Sequence, residues 1–117
     1  MTSEQIQDLL GENLTEIKEA VQGATADGKI TAWEIYQIFS GIATTVVECL
    51  PAFTLSEWKE IKPGVIAFLM EDIYTPFIRP LDIPLVPDGL VDPIFDKLLP
   101  VILDIVVEQA RTALGKA

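Results

Sequence analysis

Asp27, Thr31 and Glu34 are the residues of this chain whose types and spacing best suit a chemical task. An aspartate followed by glycine, a threonine four positions on and a glutamate three further offer oxygen donors across a tight turn, which is how a hard cation such as calcium is held. The same residues also serve a purely structural role. Asp27-Gly28 makes a turn, and Thr31 with Glu34 forms a capping box that starts a helix and needs no metal. Little else in the chain offers chemistry. It has no histidine and one cysteine. That cysteine, Cys49, neighbours the like-signed Glu48 and has no group to activate it. The paired acids Glu71-Asp72 and Glu57 with Glu60 suit a wet surface, because adjacent acids diverge on a helix and acids three apart share an exposed face. With no phosphate-cradling glycine loop and no nucleophile motif, the chain is expected to be no enzyme and to carry no cofactor.

The elements that would position these residues read as helices throughout. Thr2 or Ser3 can cap a first helix running to about Gln22, with Ile6, Leu10, Leu14, Ile17 and Val21 as its apolar stripe. Glu4, Asp8, Glu12 and Glu16 repeat every four residues and form a carboxylate ridge on the other side. Residues 23–29 break the pattern. The capping box at Thr31 and Glu34 then opens a second helix reaching about Leu50, so that 3–50 forms a helical hairpin. Ile35, Ile38, Phe39, Ile42, Val46 and Leu50 make one face of the second helix. Its other face carries one charge, Glu48, so the helix is expected to be buried on most sides or covered by another subunit.

Short helices follow over 54–74. Thr54 and Glu57 make another capping box, whose helical turn stops before Pro63, and Pro63 opens a further helix to about Tyr74. From 75 to 89, Pro76, Pro80, Pro84 and Pro87 favour an extended course. Phe77, Ile78, Leu81, Ile83, Leu85 and Val86 between them give an apolar strap that lies over its own core or reaches a neighbouring subunit. Asp92 and Pro93 start the last helix, 92–114, which Pro100 should kink or divide. It is apolar on nearly every side around Ile102 and Ile105. The expectation is therefore one all-α domain over 1–117, a small bundle of four to five helices with a proline-rich apolar strap before the C-terminal helix.

Residues 23–34, Gly-Ala-Thr-Ala-Asp-Gly-Lys-Ile-Thr-Ala-Trp-Glu, resemble the twelve-residue loop of an EF-hand. Asp27, Gly28, Ile30 and Glu34 match that family's ligand, turn glycine, core anchor and bidentate glutamate. Gly23 and Thr25 stand where the family's first two acidic ligands belong. The resemblance covers only this loop and its flanking helices, and it implies weak calcium binding through Asp27, Thr31 and Glu34.

Charge and hydropathy bound the remaining function classes. A net charge of −10, from 18 acids and 8 bases, repels phosphate backbones, so no nucleic acid is expected as partner. Half the residues are hydrophobic, more than a small monomer needs, which points to a homo-oligomer or a protein partner. The most apolar stretch, Ile35 to Phe53, is diluted by Gln37, Ser40, Thr44, Thr45 and Glu48 and lacks flanking basic clusters, so membrane association is the weaker alternative. The first residues have neither a basic region nor an apolar core, which suggests no signal peptide and a cytoplasmic setting, or one inside an intracellularly assembled particle. The expected role is that of a small acidic structural or interaction protein, such as a component of a phage-like or bacterial assembly.

Overall fold

Gly11 divides in two what the sequence reads as a single first helix. In the computed structural model, which describes residues 2–79 and 88–115, Gly11 has φ 54° and ψ −122°, a conformation that a Cβ makes costly. It separates helix α1 (Ser3–Leu10) from α2 (Glu12–Ala24). Thr2 caps α1 through a reciprocal bond pair with Gln5. The turn lets two short stripes, Ile6 with Leu10 and Ile17 with Val21, both reach the core, and it splits the carboxylate ridge between two helices.

Helix α3 (Ala32–Cys49) starts at the Thr31–Glu34 capping box and ends just before Leu50. Helix α4 (Leu55–Phe68) starts at the equivalent box of Thr54 and Glu57. Contrary to the expectation of two helices meeting at Pro63, α4 runs through that proline without interruption. Pro63 lies on the exposed side of α4, where water can satisfy the Lys59 carbonyl that a proline leaves without a donor. On the opposite side Trp58, Val65 and Phe68 are buried, and their packing outweighs the missing bond.

The chain continues from α4 as a π-helix, Leu69–Ile78. Its wider turn is marked by bonds five residues apart, from Arg79 N–H to the Tyr74 carbonyl and from the Thr75 hydroxyl to the Met70 carbonyl. Leu69, Ile73, Tyr74 and Ile78 are its buried residues, recurring every four to five positions instead of every 3.6. The proposed strap is therefore helical, not extended, over Thr75 to Ile78, and Ile78 belongs to the core, with no exposed surface. Asp72, also on the π-helix, accepts hydrogen bonds from Ser3 Oγ at 2.7 Å and Gln7 Nε2 at 2.9 Å, tying α1 down.

Helix α5 (Asp88–Ala113) begins four residues before the expected Asp92 cap and is not divided at Pro100. At 26 residues and ~1.5 Å per residue it is ~39 Å long, nearly the 42 Å long dimension of the molecule. Its main partner is α3. Leu99, Leu103, Val106, Val107 and Ala110 from α5 share one core with Phe39, Ala43, Val46 and Val47 from α3. The described residues form helices and turns, with a single bridge residue at Lys29 and no strand, in agreement with the expected all-α bundle. The total accessible surface of 6559 Å² is close to the ~6300 Å² expected of a compact chain of this mass. Among the described residues, no helix is long and apolar enough to cross a membrane.

Candidate functional site

The loop between α2 and α3 holds Asp27, Thr31 and Glu34 in local bonds. Asp27 Oδ1 accepts the backbone N–H of Lys29 at 3.2 Å, closing a turn in which Gly28 adopts φ 76°. Glu34 Oε1 accepts both the backbone N–H of Thr31 at 3.3 Å and its hydroxyl at 3.0 Å. In return Thr31 Oγ1 accepts the N–H of Glu34 at 3.1 Å. The carboxylate that would clamp a cation is thus engaged at the start of α3. Among the described residues, no three acids or cysteines come together as a metal-holding group.

A shallow groove of about 330 Å³ lies between α2 and α3, over Ile17, Ala20 and Ile42. Glu16 is its only ionisable lining residue.

A polar cluster lies on the α4 side of α5. The indole N–H of Trp58 donates to Glu108 Oε1 at 2.7 Å. Lys62 Nζ donates to the same oxygen at 3.1 Å and pairs with Asp104 at 2.9 Å. Arg111 donates to Glu108 Oε2 through Nε at 3.2 Å and Nη2 at 2.9 Å. Its guanidinium also sits 5.8 Å from the centroid of the Trp58 ring, which stacks on Phe53. The Trp58 bond, reinforced by Arg111 and Lys62 and opposed by desolvation, lowers the Glu108 carboxyl to a pKa of about 2. Hydrogen bonding to Asp104 is the main cause holding the Lys62 ammonium above its usual range. These bonds tie the Asp104 and Glu108 flank of α5 to α4.

Three apolar residues of α5 face outward, Leu98, Val101 and Ile105, with 53 %, 59 % and 50 % of their surface exposed. Spacings of three and four place them on one stripe along α5, opposite the buried Leu99, Leu103 and Val106. The Lys62–Asp104–Glu108 cluster borders the stripe on one side. On the other, the Tyr36 hydroxyl donates to Gln109 Oε1 at 2.8 Å. Trp33, itself 64 % exposed, stacks on Tyr36 with ring centroids 5.5 Å apart. Three aliphatic side chains on α5 and the Trp33 indole are thus left open on a surface rich in carboxylates.

Of the residues singled out as an interface in the sequence, Ile105 lies on this stripe, while Ile102 and Phe77 are half-buried. Ile78 is buried in the core. Leu81, Ile83, Leu85 and Val86 lie outside the described residues. Sequence reasoning missed Leu98, Val101 and Trp33, and the Trp58–Glu108 cluster as well. The one local signal was the charged pair Lys97 and Asp104, seven apart, each immediately before a stripe residue. Compared with protein-family models, curated proteins and solved structures, the chain matches none of them.

Proposed function

We propose that the chain is a non-catalytic interaction protein that docks a protein surface through the outward stripe of α5. The observation that carries this reading is the half-exposure of Leu98, Val101 and Ile105 on one face of an otherwise core-forming helix. Completing the burial of three half-exposed aliphatic side chains contributes ~1 kcal/mol each, and the indole of Trp33 adds to this. The surrounding carboxylates and the net charge of −10 keep the rest of the surface from sticking indiscriminately. Rigidity supports the reading as well. Because α3 and the polar cluster on α4 hold α5 on two sides, the stripe is presented without an ordering cost at binding. This role suits a subunit or adaptor of a larger assembly.

The test is a photo-crosslinking side chain placed at Val101 in the native host, with the same side chain at the exposed Gln22 of α2 as control. A discrete protein adduct at position 101 that is absent at position 22 is the expected result. No adduct at 101, or equal adducts at both positions, overturns the reading.

A further inference from the structure

The charges bordering the stripe are arranged for a second copy of the same helix. Lys97 and Asp104 lie on the same flank of the stripe, each one residue before a stripe position, and they carry opposite signs. The Asp104 carboxylate keeps 47 % of its side-chain surface exposed even while it pairs with Lys62, so it remains open to a further cation. If two α5 helices pack parallel, the usual flanking contacts bring Lys97 beside Ile102 and Asp104 beside Gln109, and neither charge meets an opposite one. If they pack antiparallel about a twofold axis near Leu99 and Pro100, Leu98 lies beside the partner's Val101. Lys97 then lies beside the partner's Asp104, and the symmetry repeats both contacts.

We infer that the α5 stripe takes a second copy of this chain, in an antiparallel pair whose register is set by Lys97 and Asp104 across the twofold axis. This rests on the reading of the stripe as a docking surface, and it names the occupant. A chain with 18 acids and 8 bases would be expected to repel itself, and a complementary pair used twice offsets that repulsion at the one place where two copies touch. The outward stripe is narrow, and a pair built on it is weak enough to respond to concentration.

Sedimentation equilibrium of the full chain over micromolar to millimolar concentration tests this, with helicity monitored for every variant. The native chain is expected to show a discrete monomer–dimer equilibrium. V101E, at an exposed position, should retain helicity and weaken the dimer by ~100-fold or more. K97E, which turns two attractions into two repulsions, should weaken it by about tenfold, and K97E combined with D104K should dimerise about tenfold more tightly than D104K alone. A monomer at all concentrations overturns the inference. Such a result leaves the docking surface standing if Val101 still crosslinks to a different protein. A dimer unaffected by V101E overturns the inference by placing the contact elsewhere. A dimer that weakens with V101E but ignores K97E overturns the antiparallel register.

Discussion

Replacing Glu108 with glutamine keeps a carbonyl oxygen for the Trp58 indole but removes the charge that Lys62 and Arg111 face. In the native chain that carboxyl is lowered to about 2 from a usual 4.5. A depressed acid contributes stability that is fully present above its unfolded-state pKa and is lost as pH falls through its folded-state pKa. The contribution of Glu108 is therefore complete above ~4.5 and fades toward pH 2. A lowering of this size corresponds to at most ~3 kcal/mol. Because the Glu108 side chain is 33 % exposed, solvent screening reduces this to ~1–2 kcal/mol. Urea denaturation of the native chain and Glu108→Gln should show that difference at neutral pH and its progressive loss below about pH 4.5. Every other acid is common to the two proteins, so the difference between the two curves isolates Glu108. A difference that stays constant down to pH 2.5 would refute the role of the charge. Glu108→Ala should cost a further ~1–3 kcal/mol at neutral pH by leaving the Trp58 N–H without its acceptor.

Gly11→Ala should lower stability by ~1–2 kcal/mol in a thermal melt. No heavy atom lies within 4 Å of the added Cβ, so the whole cost is backbone strain, and an unchanged melt would show that the α1–α2 turn can relax. Ile78→Ala should cost ~2–5 kcal/mol without altering the native mass, whereas a lost oligomer with unchanged monomer stability would return Ile78 to an interface. Glu34→Ala should destabilise the start of α3 by ~1 kcal/mol. Because the native carboxylate is engaged with Thr31, millimolar calcium should shift the native melting temperature by less than ~1 °C, and a calcium-dependent rise would assign Asp27 and Glu34 to a cation instead.

The starts of α3 and α4 were legible in the chain because capping is a contact across three residues. Thr31 with Glu34 and Thr54 with Glu57 form their boxes where the sequence places them. Helix interruptions were less legible. Gly11 sits inside an apolar pattern that continues on both sides of it, and only its positive φ turns a tolerated glycine into a break. Pro63 and Pro76 read locally as stops. Yet the packing of Trp58, Val65 and Phe68 carries α4 through the first, and the wider π turn accommodates the second.

The sequence by itself determined that the chain is helical, acidic and rich in apolar surface, and where α3 and α4 begin, because these follow from local bonds, charge and spacing. Tertiary structure decided which apolar residues stay outside. From Leu98 to Val107 only Asp104 is charged, so Leu98 and Leu99 are indistinguishable in the chain, although one is half exposed and the other fully buried. The core shared with α3 covers one side of that helix, and the Lys62–Asp104–Glu108 bonds tie another to α4. The remaining stripe is outward because two distant segments have already taken the other faces.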